Sequence, residues 1–271
     1  MAVPAPAPDR ACMITGASSG IGEEFARQLA GRRHNLILVA RREQPLRNLA
    51  QELSQRQGVR VEVAICDIGE DKQRERLSEQ VAASGLQVQM LINNAGLSHA
   101  GDLDREPAEQ LAMVRVNVEA LVALTAAYLP AMVERREGAI INVGSLAGFL
   151  PLPALATYAA TKAFVLNFSE ALWAEVRSSG VTVTALCPGF VRTAFWEVGG
   201  FRRTVFGPSL VWSPVAAVVR AGIVGAERGR RVVVPGPLQR LAAGVAHYAP
   251  HPLLLGPLAW LWRWGIGERT R

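Results

Sequence analysis

Tyr158 and Lys162 are the pair in this sequence with the clearest chemical use. They lie four residues apart in a segment of helical periodicity, so both side chains project from one helix face and can act on one site. A free tyrosine has a pKa of about 10 and exchanges protons poorly near neutral pH, whereas a nearby ammonium group stabilises the phenolate. The pair therefore predicts general acid/base chemistry in which Tyr158 transfers the proton.

A glycine-rich turn is the second chemical feature. The run Thr15-Gly16-Ala17-Ser18-Ser19-Gly20-Ile21-Gly22 joins a strand-like apolar segment to a helical one. Glycines let the backbone approach a pyrophosphate closely, and the N–H groups and positive dipole end of the helix attract its charge. Three residues rather than one separate the first two glycines, so the turn departs from the GxGxxG fingerprint but still predicts a phosphate-binding loop.

Alternating strands and helices must position these residues. Apolar runs alternate with longer segments of helical period, which is typical of βαβ units in a parallel sheet covered on both faces. We predict strands at Ala11–Thr15, Asn35–Ala40, Val59–Ile65, Val88–Ile92, Ala139–Val143, Val181–Leu186 and Arg231–Val234. We predict helices at Gly20–Ala30, Glu43–Gln57, Asp71–Ala83, Pro107–Arg135, Thr157–Ser178 and Pro214–Arg228, with Gly31 and Gly58 as C-cap glycines. Right-handed crossovers give an α/β, doubly wound, Rossmann-type single domain whose ligand crevice lies beyond the carboxyl ends of the strands.

Composition sets the boundaries of the chain's organisation. Residues 1–9 are rich in Pro and Ala, lack a basic segment typical of a signal peptide, and predict a flexible arm. Residues 10–235 form the predicted dinucleotide-binding and catalytic domain, and residues 236–271 an apolar C-terminal extension. The three cysteines and four histidines show no metal-ligand spacing, so we expect no metal site. The net charge of +6 is carried by scattered arginines without a nucleic-acid-binding signature, and we expect no nucleic-acid partner.

The glycine-rich turn resembles the TGxxxGIG motif of the short-chain dehydrogenase/reductase family. Four further matches follow in the family's order: Asp67, the Asn93-Asn94-Ala95-Gly96 turn, Ser145 with Tyr158 and Lys162, and Pro188-Gly189. The resemblance covers about Ala11 to Pro235. It implies an oxidoreductase that transfers a hydride between a nicotinamide cofactor and a carbonyl or alcohol, with Tyr158 transferring the proton.

The same resemblance implies roles for individual residues. Ser145 would orient the reacting oxygen, and Asn117 would occupy the family's fourth catalytic position and hold a water that links Lys162 to solvent. The catalytic set is therefore Asn117, Ser145, Tyr158 and Lys162. The predicted cofactor contacts are Gly16, Ser18, Ser19, Gly20, Ile21, Gly22, Arg41, Arg42, Asp67, Ile68, Asn94, Ala95, Gly96, Tyr158, Lys162, Pro188, Gly189, Val191 and Thr193.

Two arginines favour NADP(H) over NAD(H). A carboxylate at the end of the second strand would accept hydrogen bonds from the adenosine ribose but would repel a 2′-phosphate. Here the strand Asn35–Ala40 runs into Arg41-Arg42 with no acid at the turn. Guanidinium groups match the geometry and charge of a phosphate, so we expect this pair to bind the 2′-phosphate.

Apolar segments are expected to wall the substrate site. Residues 146–155 and 190–212 are short of carboxylates and carry Phe149, Leu150, Leu152, Leu155, Phe195, Trp196, Phe201, Phe206 and Trp212. They favour an apolar ketone or secondary alcohol of steroid-like, fatty or aromatic type, while Arg202 and Arg203 could contact an anionic group. The alternatives are a 3-oxoacyl thioester reductase and, from another class, a non-catalytic NADP(H)-sensing protein. His99 either borders the substrate site or lies on a surface loop.

The last expectations concern partners and location. The family resemblance implies a homo-oligomer, a dimer or a tetramer. The three widely separated cysteines indicate buried thiols in a reducing compartment, so we expect the protein in the cytoplasm. The apolar run 253–264, with three tryptophans beside an arginine, is too short to span a bilayer, which takes about 20 apolar residues. It either contacts a membrane surface peripherally or packs over the substrate pocket or against a second subunit.

Overall fold

A computed structural model describes residues 3–100, 106–193 and 212–265 of the protein. Its strands are β1 (Arg10–Thr15), β2 (Asn35–Ala40), β3 (Val61–Ile65), β4 (Gln87–Asn93), β5 (Gly138–Val143), β6 (Val181–Leu186), β7 (Phe190–Val191), β8 (Trp212–Ser213) and β9 (Val232–Val233). Seven of them form one sheet in the order β3-β2-β1-β4-β5-β6-β9, and every pairing in it is parallel. This order confirms the predicted doubly wound, Rossmann-type single domain.

Nine α-helices lie in the described part of the chain. They are α1 (Gly20–Gly31), α2 (Glu43–Gln57), α3 (Asp71–Ala83), α4 (Pro107–Val114), α5 (Ala120–Glu134), α6 (Ala156–Val176), α7 (Val215–Glu227), α8 (Pro237–Tyr248) and α9 (His251–Gly265). A π-helical segment, Arg115–Glu119, joins α4 to α5, and 3₁₀ turns occupy Leu146–Phe149 and Arg177–Ser179. Two of these helices, α8 and α9, lie in the predicted C-terminal extension.

Helices cover both faces of the sheet because the strands bury side chains on both faces. Along β1, Cys12 and Ile14 belong to one buried cluster while Ala11 and Met13 belong to another. The first cluster includes side chains of α1, α2 and α7, and the second includes side chains of α3, α5 and α6. This two-sided burial accounts for the nearly continuous apolar strand sequences and fixes the strand ends where the site lies.

The predicted helix Pro107–Arg135 is wrong in one respect, since it is not a continuous α-helix. The N–H of Ala120 bonds to the carbonyl of Arg115, which is the i→i+5 pattern of a π-helix. The prediction for Gly31 is also wrong, because Gly31 is the last residue of α1 and Arg33 takes the left-handed conformation with φ 70°. Gly58 does take this conformation after α2, with φ 62° and a hydrogen bond to the Ser54 carbonyl, as predicted.

Both segments that were predicted to lie outside the central domain, residues 1–9 and 236–271, contact it in the part of the chain that the structure describes. Pro4 is buried, Val3 packs against the first core cluster, and Asn35 Nδ2 donates to the Ala7 carbonyl at 3.0 Å. At the other end, α8 packs against the 3₁₀ turn that follows β5. The flexible arm and the separate extension stay predictions.

By length and composition alone, Pro107–Glu134 could cross a membrane. In this fold Met113, Asn117, Leu124 and Met132 of this stretch are buried. Core helices of other folded domains meet the same criterion of length and hydropathy.

Candidate active site

The glycine-rich turn is locked to the Asn94-Ala95 turn that follows β4. The Thr15 hydroxyl accepts hydrogen bonds from the backbone N–H groups of Asn94 and Ala95, both at 3.0 Å, and Asn94 Nδ2 donates to the Thr15 carbonyl at 2.8 Å. Gly16 has φ 65°, and a Cβ there would lie 2.9 Å from Ala95 Cα. The turn needs glycine at this position for both its conformation and its closeness to the neighbouring strand.

The amino end of α1 faces the cleft above this turn. Ser19 is the N-cap in an extended conformation, and its side chain makes no capping hydrogen bond within the described residues. A Cβ at Gly22, in the first turn of α1, would lie 2.4 Å from the Gly16 carbonyl oxygen. The helix start therefore packs directly onto the turn, and its first residues line the cleft, where the free N–H groups of a helix amino end can bind an anion.

Arg42 and Arg41 line the cleft directly after β2. Arg42 Nη2 donates to Ser18 Oγ at 3.0 Å and to the Ser18 carbonyl at 3.2 Å. Arg41 is 60% exposed and pairs with Asp67 Oδ2 at 3.4 Å. The other Asp67 oxygen accepts from the Gly69 N–H at 3.0 Å, which fixes the turn carrying Ile68. Two cations and one carboxylate thus surround this end of the cleft.

Ser145, Tyr158 and Lys162 come together at the carboxyl ends of the central strands. Ser145 follows β5 and caps a 3₁₀ turn, with its Oγ accepting from the Ala147 N–H at 3.1 Å. Tyr158 and Lys162 occupy the first turns of α6, and each is 5% exposed. The Lys162 ammonium lies 5.8 Å from the centre of the Tyr158 ring. The predicted single helix face is present, and it faces the cleft.

Burial is the main influence on the pKa values of Tyr158 and Lys162. It raises the pKa of Tyr158 to about 12, and a hydrogen bond with the Ser145 side chain acts in the opposite direction. Burial also lowers the pKa of Lys162 to about 8. We expected the ammonium to lower the pKa of Tyr158, but desolvation of the phenolate outweighs any such effect within the protein chain. At neutral pH, Tyr158 therefore carries a proton that it can donate.

Asn117 lies in the π-helical segment and is 2% exposed. Its Oδ1 accepts from the Leu97 N–H at 2.8 Å, while its Nδ2 donates to the Leu97 carbonyl at 2.9 Å and to Thr161 Oγ1 at 3.0 Å. A Cβ at Gly96 would lie 3.3 Å from Asn117 Oδ1 and 3.5 Å from Lys162 Nζ. The amide therefore holds the turn after β4 against α6, beside the lysine.

The Pro188-Gly189 segment closes the other end of the cleft. The Pro188 carbonyl accepts from the Leu146 N–H at 2.9 Å, which joins this segment to the one after Ser145. Thr193 approaches the glycine-rich turn, since a Cβ at Gly20 would lie 3.1 Å from its Cγ2. The segment after β7 and the start of α1 thus approach each other at Thr193 and Gly20.

One cleft of about 340 Å³ connects these features. The structure brings the predicted cofactor residues together there, except Gly22, which packs beneath the turn. Of the predicted catalytic residues, Ser145, Tyr158 and Lys162 line the cleft and Asn117 lies behind it. The sequence interpretation missed further lining residues, namely Val39, Ala40, Cys66, Leu97, Val116, Val143 and Gly144. Most of these lie where parallel strands end, which is the signal that could have identified them.

Tyr158 belongs to an apolar cluster next to the cleft. Its buried members are Ala100, Met113, Ala147, Leu155 and Tyr158, and Leu97, Leu152, Phe190 and Trp212 pack against them. Leu152, Leu155 and Trp212 were predicted as substrate walls, whereas Phe149 packs near His247 instead. The predicted wall residues Phe195, Trp196, Phe201 and Phe206, and the arginines 202 and 203, lie outside the described residues.

His99 lies beside this cluster and pairs with Glu106. Its side chain is 20% exposed, so it is neither fully buried nor a free surface group. Across the residues that the structure describes, no group of three His, Cys, Asp or Glu side chains could hold a metal ion.

Comparison with known families decides what this arrangement is. A family model described as short chain dehydrogenase matches residues 10–199. The chain belongs to the short-chain dehydrogenase family. It is therefore an oxidoreductase that acts on CH-OH groups or the corresponding carbonyls, and the roles of individual residues stay predictions.

Two relatives of this chain are reductases by name. Sulfoacetaldehyde reductase 2 of Chromohalobacter salexigens is 40% identical over 186 residues, which cover 68% of this chain and 73% of that protein. The very-long-chain 3-oxoacyl-CoA reductase of Anas platyrhynchos is 36% identical over 196 residues, which cover 69% of this chain and 61% of that protein. This chain thus spans less than two thirds of the length of the second relative.

Solved structures of short-chain dehydrogenases match nearly the whole chain. A short-chain dehydrogenase from Sphingobium yanoikuyae in complex with NADPH has a TM-score of 0.79 at 33% identity, over 97% of this chain and 96% of that one. The bulky-bulky ketone specific alcohol dehydrogenase from Comamonas testosteroni has a TM-score of 0.73 at 28% identity, over 98% and 96%.

Proposed function

We propose that this short-chain dehydrogenase uses NADP(H) to interconvert an apolar ketone and its secondary alcohol. One observation carries the proposal: Ser145, Tyr158 and Lys162 lie at the end of the cofactor cleft, where that cleft adjoins an apolar cluster. A polar reaction centre next to an apolar wall suits a carbonyl group on a steroid-like, fatty or aromatic framework.

The glycine-rich turn leaves room for the pyrophosphate of a dinucleotide. Side chains at Gly16 and Gly22 would collide with the neighbouring backbone, so the turn keeps the pyrophosphate position clear. Ser18, Ser19, Gly20 and Ile21 would hold the pyrophosphate against the amino end of α1. At the adenosine end, Asp67 and Ile68 would contact the adenine while Arg41 and Arg42 would bind the 2′-phosphate that distinguishes NADP(H).

The remaining cofactor contacts extend toward the reaction centre. Asn94, Ala95 and Gly96 would form the floor beneath the two riboses, and Lys162 would contact the ribose nearest Tyr158. Pro188, Gly189, Val191 and Thr193 would hold the nicotinamide end. This arrangement would direct the reactive ring toward Ser145 and Tyr158.

Reduction would proceed by coordinated proton and hydride addition. Ser145 and Tyr158 would hydrogen-bond the carbonyl oxygen and orient the carbonyl. A bound nicotinamide cofactor would supply the hydride for the carbonyl carbon. Tyr158 gives its proton to the oxygen, and the charged Lys162 stabilises the phenolate that forms. The alcohol product leaves with one added hydride and one added proton, and oxidation reverses each step.

A 3-oxoacyl thioester reductase is the second candidate. It is favoured by relatives such as the very-long-chain 3-oxoacyl-CoA reductase of Laccaria bicolor, which is 41% identical over 66% of this chain but only 54% of that protein. The exposed Arg192, whose guanidinium lies 6.0 Å from the Trp212 ring, could contact an anionic carrier beside the apolar cluster. A non-catalytic sensor is disfavoured because it would not need a complete Ser145, Tyr158 and Lys162 set.

NADPH consumption by the purified protein tests the proposal. A panel of steroid-like, fatty and aromatic ketones is compared with 3-oxoacyl thioesters at equal concentration, and NADH replaces NADPH in a parallel series. We expect turnover of apolar ketones with NADPH and none in the Tyr158→Phe variant. Faster turnover of thioesters would favour the second candidate, whereas tight NADPH binding without turnover of either panel would favour a sensor.

Assembly and location are further proposals. We infer a cytoplasmic homo-oligomer, dimer or tetramer, as members of this family commonly form. The tail at 253–264 would contact either a membrane surface or a second subunit. Gel filtration with light scattering and fractionation of cells that express the full chain would test both.

A further inference from the structure

Helix α8 exposes an apolar stripe along its whole length. Leu238, Leu241, Val245 and Tyr248 are 46%, 65%, 54% and 83% exposed. Their spacing of three, four and three residues places all four side chains on one helix face. Soluble surfaces carry single exposed apolar residues, but a continuous stripe on one helix marks an interaction surface.

The opposite face of α8 packs against the active-site segments. Gln239, Ala243 and Ala246 are buried on that face. Gln239 Nε2 lies 3.4 Å from Ser213 Oγ, and a Cβ at Gly189 would lie 3.0 Å from Gln239 Cγ. The helix is therefore fixed to the fold by its inner face, and the stripe points away from the molecule close to the substrate end of the cleft.

The exposed charged residue on α8 is cationic. Helix α8 contains no carboxylate, and of the five arginines between Glu227 and Glu268 only Arg240 lies on it, while Arg231 is paired with Glu170 elsewhere. Arg240 lies beside the stripe on α8 and is exposed. The helix after it continues the apolar character, with Leu255 and Trp260 at 38% and 63% exposure. An apolar face bordered by positive charge complements a surface that is apolar inside and negative outside.

We propose that α8 lies in the plane of an anionic lipid bilayer and holds the protein there by its apolar stripe. Leu238, Leu241, Val245 and Tyr248 enter the boundary between headgroups and acyl chains, and Arg240 contacts the lipid phosphates. The proposal goes beyond the tail at 253–264 because it assigns the contact to α8. It stands on exposure and charge alone and holds whichever carbonyl compound is the substrate.

A second copy of the chain fits the stripe less well. Two such faces in contact would bring the Arg240 side chains of both copies close together, and α8 contains no carboxylate to compensate them. A stable protein interface also takes roughly 20 to 30 residues on each side, far more than one helical stripe supplies. A membrane surface needs neither a complementary carboxylate nor a matching shape.

Vesicle sedimentation with the full chain tests the proposal. The probes are vesicles of pure phosphatidylcholine and of phosphatidylcholine mixed with phosphatidylserine. The test variant is the double substitution Leu241→Ser and Val245→Ser, and the matched control is Leu111→Ser on α4, where the leucine is 59% exposed. We expect wild type to bind the anionic vesicles more tightly, with affinity falling as salt rises. The double variant should bind roughly tenfold more weakly or worse, and the control like wild type.

Arg240→Ala tests the contribution of the positive charge separately, because it should weaken binding to anionic vesicles only. NADPH titration without vesicles shows that each variant is folded. The proposal is overturned if wild type sediments with neither vesicle, or if the double variant binds as tightly as the control. A fall in oligomer mass in the double variant, with no vesicle binding by wild type, would instead assign the stripe to a second copy. None of these readouts depends on turnover, so failure here and failure of the proposed reductase activity are distinguishable.

Discussion

Asn117 clamps the backbone of Leu97, accepting from its N–H at 2.8 Å and donating to its carbonyl at 2.9 Å. Asn117→Leu keeps the size of the side chain but leaves both backbone groups unpaired, at a cost of about 1 to 3 kcal/mol each. We expect lower stability and weaker NADPH binding, because the turn after β4 forms part of the cleft floor. Urea unfolding and NADPH titration measure both effects.

The matched control for this prediction is Asn167→Leu, at an exposed position on α6 where Nδ2 donates only to the Ala163 carbonyl. It should change stability by less than about 0.5 kcal/mol. Equal effects from the two substitutions would contradict a clamping role for Asn117.

Tyr158→Phe removes the proposed proton donor but keeps the ring. We expect turnover to be lost while NADPH affinity stays nearly unchanged, since the other residues that line the cleft are not altered. Steady-state rates and cofactor titrations separate the two quantities. Tyr248→Phe, on the exposed face of α8, should behave as wild type in both assays. Substantial turnover by Tyr158→Phe would rule out the mechanism.

Reduction should slow as pH rises through about 8, because burial lowers the pKa of Lys162 to about that value. The charged form of lysine is the protonated form, so a lowered pKa means that the stabilising charge is lost earlier in an alkaline titration. A pH profile of kcat/KM should show a falling limb there. Lys162→Arg keeps its charge at this pH and should lose the limb even if its rate is lower. A profile that stays flat well above this pH would disprove the assignment.

Arg41→Ala combined with Arg42→Ala should weaken NADPH binding far more than NADH binding. Each charge-assisted contact with a 2′-phosphate would contribute about 1.5 to 3 kcal/mol, which is roughly tenfold or more in affinity. Arg47→Ala is the matched control, because Arg47 lies nearby on α2 and pairs with Glu43. Wild type that uses NADH as well as NADPH would contradict the role of both arginines.

Gly22→Ala should distort the glycine-rich turn, since the added Cβ would lie 2.4 Å from the Gly16 carbonyl oxygen. We expect both thermal stability and NADPH affinity to fall, because either the turn or α1 has to shift. Gly244→Ala on α8 has open space around the new methyl group and should be neutral or stabilising by up to about 1 kcal/mol. Thermal unfolding with and without NADPH compares the two variants, and an unchanged Gly22→Ala protein would refute the close packing.

Local patterns predicted the central fold well. Five- to seven-residue apolar runs gave β2 and β6 with their observed bounds because both faces of these strands are buried. The π-helical segment at Arg115–Glu119 was not predictable, since one extra residue in a turn barely disturbs a helical periodicity. Helices α8 and α9 were missed because Pro237, Pro252 and Gly256 obscure the pattern and the stability of these helices depends on tertiary packing.

The site was predictable where its residues form short motifs. The glycine-rich turn, the Asn94-Ala95-Gly96 turn and the Tyr158/Lys162 pair are each local in sequence, and the structure places them along one cleft. The clamp between Asn117 and Leu97 was not predictable, because it depends on which backbone atoms meet across 20 residues. The balance of pKa effects at Tyr158 was also beyond the sequence, since it depends on how deeply the ring is buried.

Strand β1 lies between the two parts of the proposed site. Arg41 and Arg42 follow β2 on one side of β1, while Ser145 and Tyr158 follow β5 on the other. On the proposed roles of these residues, the choice of cellular electron donor and the bond-making step are encoded in separate stretches of the gene. A lineage could switch between two pools of reducing power by substitutions at one short turn, and its catalytic apparatus would pass through the change unaltered.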